Sequence, residues 1–265
     1  MPIITGVIAD DFTGATDIAS FMAEQGWRVV LLPGMPDEAQ RWDEEVDAIV
    51  ISLKSRSLPS HLAIAQSLRC CQWLRNQAGA QQIYFKYCST FDSTPHGNIG
   101  PVSDALMEAM RVPLIVHCPA LPQNGRTVVH GHLFVNGVLL NESGMEKHPL
   151  NPMTDASVPR LLAAQTPNTV GNIDLNTIRN GVQAVTHTLA SLKAEGKRHV
   201  IVDTLDETDL HTLAQALHDA PLLAGGSGLG GALATNAGAQ QTSQPQDFPH
   251  PVKAVVFSGS CSAMS

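Results

Sequence analysis

The stretch IADDFTGATD, residues 8–17, decides how the rest of the chain is read. Ile3, Ile4, Val7 and Ile8 form an apolar run that ends on two adjacent acids, Asp10 and Asp11, and Gly14 follows. Ala15, Ile18, Ala19 and Met22 then recur at spacings of three and four, the period of a helix with one apolar face. The reading is a buried strand, a tight polar turn and a helix. In open α/β sheets the carboxyl ends of strands line the ligand crevice, so this turn is expected to face a site. Two carboxylates there can bind hydroxyls, hold a metal ion or take a proton. The plainer alternative is that one Asp caps the helix, as Asp commonly does.

The alternation continues outward from that motif. Residues 27–32, 47–53, 82–88, 113–118 and 199–202 read as strands, and 59–78, 102–110, 174–195 and 207–219 as helices. Helices separating apolar strands imply an α/β fold, a mainly parallel sheet with helices on both faces. The middle differs: residues 127–140 place two β-rich arms around Asn136-Gly137, a strong hairpin signal, so a β-hairpin insertion is expected. Residues 236–251 are rich in Ala, Gln, Ser and Pro and read as a linker. An apolar strand, 253–257, and the turn SGSCSAMS follow, which reads as the start of a second domain rather than a tail strand on the sheet edge.

Composition narrows the partners. A chain of 265 residues with 43% hydrophobic content suffices for one large domain or two modest ones. A net charge of −8 without a basic block argues against nucleic acid and anionic membranes. There is no apolar run of transmembrane length and no secretory signal at the N-terminus. Five scattered cysteines without a CxxC pair suit reduced thiols, so a cytoplasmic location is expected.

Other strand ends also carry polar groups. Lys54, Ser55, Arg56 and Ser57 follow the third strand, and two cations there suit an anionic ligand. The fourth strand runs into KYCSTFDSTPHGNIG, residues 86–100, whose hydroxyls and charges of both signs suit a polyhydroxylated substrate. Asp203 and Thr204 end another strand and are candidates for the same crevice. Three patterns are weaker. Gly226, Gly228 and Gly231 match GxGxxG, but the strand before them is short and the ribose-binding acid is missing, so a dinucleotide fingerprint is not expected. A turn into a helix N-terminus remains open there. His130 and His132 would share one face of a strand but have no third metal ligand at motif spacing, and Ser227 sits in GSG rather than GxSxG.

Taken in order, ADDFTGATD, SRS, FKYCSTFDSTPHGN, GNIGPV, PALPQNGR, HPLNPM and SGSCS resemble the four-carbon acid sugar kinase family, and most nearly its 3-oxo-tetronate kinase branch. The resemblance spans the whole chain. It implies an ATP-dependent kinase with two α/β domains, which phosphorylates the terminal 4-hydroxyl of a tetronate or 3-oxo-tetronate in the cleft between them. On that basis residues 1–235 are the sugar-acid-binding domain, 236–251 the linker and 252–265 the first strand and turn of a nucleotide-binding domain that the chain breaks off. Asp10 and Asp11 are the catalytic candidates, with Asp11 favoured because successive strand residues alternate faces. Arg56 and Lys86 would hold the substrate carboxylate, and Asp92, Ser93 and Asn98 its hydroxyls. Ser258, Gly259 and Ser260 would contact ATP, which brings Mg²⁺; no protein metal site is expected. His96 stands where many relatives have Arg in DSTLRGN, so that guanidinium role does not carry over. The partners implied are a sugar acid and ATP, with a homodimer left open. Two alternatives compete: a sugar-acid-binding module without turnover, and a metal-dependent phosphohydrolase built on the Asp10/Asp11 pair.

Overall fold

The computed structural model describes residues 4–37, 39, 42 and 45–236. The linker and the 252–265 strand and turn, with Ser258, Gly259 and Ser260, therefore lie outside the described residues.

Strand β1 (Thr5–Ala9) leads into helix α1 (Phe12–Glu24), strand β2 (Val29–Pro33) and strand β3 (Ala48–Ser52). Helix α2 (Ser60–Asn76), strand β4 (Gln82–Lys86), helix α3 (Ile99–Met110) and strand β5 (Ile115–Cys118) follow. A small meander, β6 (Arg126–Val129), β7 (His132–Val135) and β8 (Val138–Leu139), interrupts the alternation. The chain resumes with α4 (Val158–Ala163), β9 (Val170–Ile173), α5 (Leu175–Arg179), α6 (Val182–Ala194) and β10 (His199–Val202). It finishes with α7 (Glu207–Leu217), β11 (Leu222–Gly225) and α8 (Ser227–Asn236).

The main sheet is parallel throughout, in the order β2-β3-β1-β4-β11-β5-β10-β9. Strands β1, β3 and β4 are buried along their whole length, which is why they read as continuous apolar runs rather than alternating ones. The chain leaves β1 toward β2, then returns from β3 across β1 to β4. Right-handed crossovers put α1 and α2 on opposite faces, so a crevice opens where the ends of β1 and β3 part. Packing agrees: α1 meets α8, which meets α7, while α2 packs on α3.

Two expected elements divide. The 127–140 hairpin has a second turn, because β6 and β7 pair across His130 and Gly131 while β7 and β8 pair across Asn136 and Gly137. All four turn residues have positive φ, as tight two-residue turns require. The expected 174–195 helix breaks at Gly181, whose φ of 92° ends α5 and starts α6. Asp174 caps α5 through the Thr177 amide, and Arg179 is drawn to Asp206 and Asp209 at the head of α7. No described helix is long and apolar enough to cross a membrane.

Candidate active site

The Asp10-Asp11 turn sits at the end of β1 as expected, and its two acids share one partner. Arg56, just past β3, forks onto Asp10, with Nε to Oδ2 at 2.9 Å and Nη2 to Oδ1 at 2.8 Å. The same Nη2 lies 2.9 Å from Asp11 Oδ1, and Nη1 donates to Asp92 Oδ2 at 3.2 Å. The expected alternation of Asp10 and Asp11 onto opposite faces therefore does not hold, because the chain turns at Asp10 and both carboxylates reach one guanidinium. They differ in exposure: the Asp10 side chain is 6% accessible and that of Asp11 28%. Asp11 is also the helix cap, accepting from the Gly14 amide at 2.9 Å. Cap and site, posed as alternatives, are one residue here.

Electrostatics follow from this crowding. Burial raises the Asp10 carboxyl against the pull of the Arg56 fork. For Arg56, burial opposes the charge, but the bonds to Asp10 and the fields of its acid neighbours outweigh it, so the guanidinium is held protonated. Lys86 at the end of β4 is buried and donates to the Tyr87 carbonyl at 2.8 Å. A Cβ on Gly14 would meet Asp11 Oδ1 and come within 2.8 Å of Lys86 Nζ, so either group would have to shift to admit one. Two cations and three carboxylates thus share one corner of the crevice. A groove of about 910 Å³ opens beside it, lined by residues adjoining the cluster in sequence, Phe12 and Lys54 among them.

The loop after β4 supplies the remaining candidates, and here several expectations need correcting. Asn98 is not available to a ligand: its amide donates to the carbonyls of Ser55 (2.8 Å), Arg56 (3.2 Å) and Leu58 (2.8 Å), and its oxygen accepts from Ser60 at 2.9 Å. It staples the turn that carries Arg56. Ser93 is buried and accepts from Gln165 at 3.0 Å, so it too is engaged within the protein. Asp92 does face Arg56, and Asn151 donates to its Oδ1 at 2.8 Å. His148 Nδ1 stands 3.9 Å from the same oxygen. His148 and Asn151 come from HPLNPM, a segment whose residues had no assigned role, and only the fold brings it over Asp92. His96 is exposed in the same loop.

The other strand-end candidates are structural. Asp203 accepts from the backbone amides of His130 (2.6 Å), Gly131 (2.8 Å) and Leu175 (3.1 Å), pinning the meander turn to the sheet rather than reaching the crevice. Thr204 bridges to Val128. Because His130 lies in that turn, it does not share a strand face with His132. No cluster of three or more His, Cys, Asp or Glu able to hold a metal ion occurs among the described residues. A metal on the Asp10/Asp11 pair would have to displace Arg56, which weighs against the phosphohydrolase alternative. The glycine-rich run at 225–231 is explained by packing: a Cβ on Gly228 would come within 2.8 Å of the Ala120 carbonyl, and one on Gly230 within 2.6 Å of Ile18. Ser227 at the head of α8 donates to Asp17, joining the far end of the opening motif to this run.

Residues 5–233 match a family described as the sugar-binding N-terminal domain. The chain is 52% identical over 262 residues to the 3-oxo-tetronate kinase of Escherichia coli strain K12, covering 98% of this chain and 67% of that protein. It is 50% identical over 260 residues to the 3-oxo-tetronate kinase of Haemophilus influenzae, covering 98% of this chain and 62% of that one. A crystal structure of a Haemophilus influenzae protein superposes with a TM-score of 0.86 at 51% identity, over 89% of this chain and 57% of that chain. A Bordetella bronchiseptica protein solved as a domain-swapped dimer with bound citrate matches with a TM-score of 0.73 at 27% identity, over 88% of this chain and 57% of that chain. The chain thus spans about two thirds or less of these relatives. With the ordered motifs, the parallel sheet and these matches in agreement, the chain belongs to the four-carbon acid sugar kinase family, in its 3-oxo-tetronate kinase branch, and contains the sugar-binding N-terminal domain.

Proposed function

We propose that this chain is the sugar-acid-binding part of an ATP-dependent kinase that phosphorylates the 4-hydroxyl of 3-oxo-tetronate. The observation that carries the reading is the convergence of Asp10, Asp11 and Asp92 on Arg56, with Lys86 beside them, at the switch point of the sheet. Such a cluster suits a small ligand with one carboxylate and several hydroxyls. The names of the relatives support the substrate class, and the citrate in the Bordetella protein is itself a hydroxy acid.

Substrate binding would exchange partners within the cluster. Asp92 holds Arg56 by its longest bond, at 3.2 Å, and Asp11 is the more accessible of the Asp pair, so these two carboxylates are free to turn to hydroxyls. Arg56 and Lys86 would then meet the substrate carboxylate, with Asn98 and Ser93 holding the surrounding loops. Asp11 would accept the 4-hydroxyl proton or its hydrogen bond. Asp10, buried and forked, would fix the guanidinium. Phosphoryl transfer depends chiefly on alignment and charge neutralisation, so an orienting carboxylate is sufficient. ATP, with the Mg²⁺ it carries, supplies the phosphoryl group; Ser258, Gly259 and Ser260 are proposed as part of its site.

The test is ATP-dependent phosphorylation of 3-oxo-tetronate by the full-length protein. Asp11→Asn is expected to lower kcat about 100-fold or more. Full kcat in both Asp10→Asn and Asp11→Asn would remove the pair from the mechanism. Calorimetry of this chain with 3-oxo-tetronate separates binding from turnover.

A further inference from the structure

Phe91 is conspicuous within the loop that carries Asp92. Its φ of 50° lies in the left-handed region, where a bulky aromatic residue is seldom found, yet its side chain is completely buried. Strained backbone of this kind persists only where the surroundings hold it in place. Here the hold is visible. The Phe91 amide donates to the Cys88 carbonyl at 2.9 Å, and its ring meets Tyr87 edge-on, with centroids 5.5 Å apart at 80°.

Tyr87 is anchored in turn. Its hydroxyl lies 3.3 Å from His117 Nδ1, His117 Nε2 lies 3.0 Å from His199 Nδ1, and His199 Nε2 lies 2.8 Å from Asp104 Oδ1. Thr166 (2.6 Å) and Asn168 (2.8 Å) also donate to the Asp104 carboxylate. One pattern of hydrogens satisfies the whole chain. Asp104 accepts, so His199 donates from Nε2; with His199 Nδ1 as the acceptor, His117 donates from Nε2. His117 Nδ1 is then left to accept the Tyr87 hydroxyl proton. The order places a fully partnered polar strut behind an aromatic ring, and that ring against a left-handed turn one residue before Asp92.

We propose that Phe91 is a positioning residue that aims the Asp92 carboxylate at Arg56, its turn braced by Tyr87 and the His117–His199–Asp104 chain. The role of Asp92 in binding rests on the function proposed above; its orientation does not. Phe91→Leu keeps an apolar, buried side chain but loses the ring edge, and Tyr87→Phe keeps the ring but cuts the link to His117. Leu213→Ala serves as a core loss on a separate element, α7.

The experiment pairs crystal structures of these variants with calorimetric titration of 3-oxo-tetronate. Phe91→Leu is expected to lose the Arg56–Asp92 contact while keeping the Arg56–Asp10 fork, and to weaken binding about tenfold or more. Tyr87→Phe should weaken binding about threefold, and Leu213→Ala should lower Tm without changing affinity. An Arg56–Asp92 contact that persists in Phe91→Leu overturns the proposal, as does equal weakening by Leu213→Ala. If Phe91→Leu does not fold, an unchanged Asp92 and unchanged affinity in Tyr87→Phe overturn it. If the unmutated chain binds no 3-oxo-tetronate, the proposed function fails, and the crystal structures alone decide the role of Phe91.

Discussion

Two polar networks lie on the same sheet and are built on opposite terms. At the ends of β1, β3 and β4, Arg56 gathers three carboxylates, one of them more than a quarter exposed, beside a groove and a strained turn. Across β5 and β10, His117 and His199 are fully buried and pass hydrogen bonds from Tyr87 to Asp104. The first network has more acid than base and keeps one carboxylate partly exposed; the second is fully partnered within the protein. Full satisfaction makes the buried network rigid, because an unpaired polar group there would be costly.

The sharpest way to break this contrast is Arg56→Ala, which leaves Asp10 buried without its partner. A loss of about 3–5 kcal/mol is expected in urea unfolding, together with loss of 3-oxo-tetronate binding. Arg56→Lys should recover little of either, because an ammonium cannot fork across a carboxylate. Gly14→Ala tests the close approach in the same cluster. Despite the helix propensity of alanine, the added Cβ meets Asp11 and Lys86, so a loss of about 1–3 kcal/mol and weaker binding are expected.

The closed network is tested by pH. Burial, then the neighbouring His199, holds His117 well below the ordinary histidine range. The unfolded chain therefore binds the extra proton first, and stability falls as pH drops below about 6.5. Denaturant melts at each pH should show stability falling between about pH 6.5 and 5.0, and His117→Phe should flatten that slope. Asp104 acts in a different window. Burial raises its carboxyl, but the bonds from His199, Thr166 and Asn168 win and lower it, so its contribution is lost only below the usual carboxylate range. The smallest effect is expected for Asp11→Asn, since Asn caps a helix nearly as well as Asp. Its stability change should stay under about 1 kcal/mol although turnover in the full-length protein falls sharply.

Much of the frame was legible in the sequence because it is local. Buried parallel strands read as apolar runs, and Ala15, Ile18 and Met22 mark the inward face of α1. The splits at His130-Gly131 and Gly181 were not legible, because periodicity runs through a turn whose geometry a distant group such as Asp203 stabilises. Within the candidate site, residue type and position at or after strand ends pointed to Asp10, Asp11, Arg56, Lys86 and Asp92, which the structure brings together. They did not show that Asn98 serves three backbone carbonyls, or that Asn151, 59 positions further along the chain, comes back to Asp92.

By itself, then, the sequence determined the α/β class, the strand-end acids and the family, since each is written in local pattern or in ordered motifs. Tertiary structure alone decided which charges meet. Only the convergence of β1, β3 and β4 puts three carboxylates on one guanidinium, and only burial separates Asp10, which holds Arg56, from Asp11, which remains accessible. The physical reason is that ion pairing and desolvation depend on distances in space, which spacing along the chain does not encode.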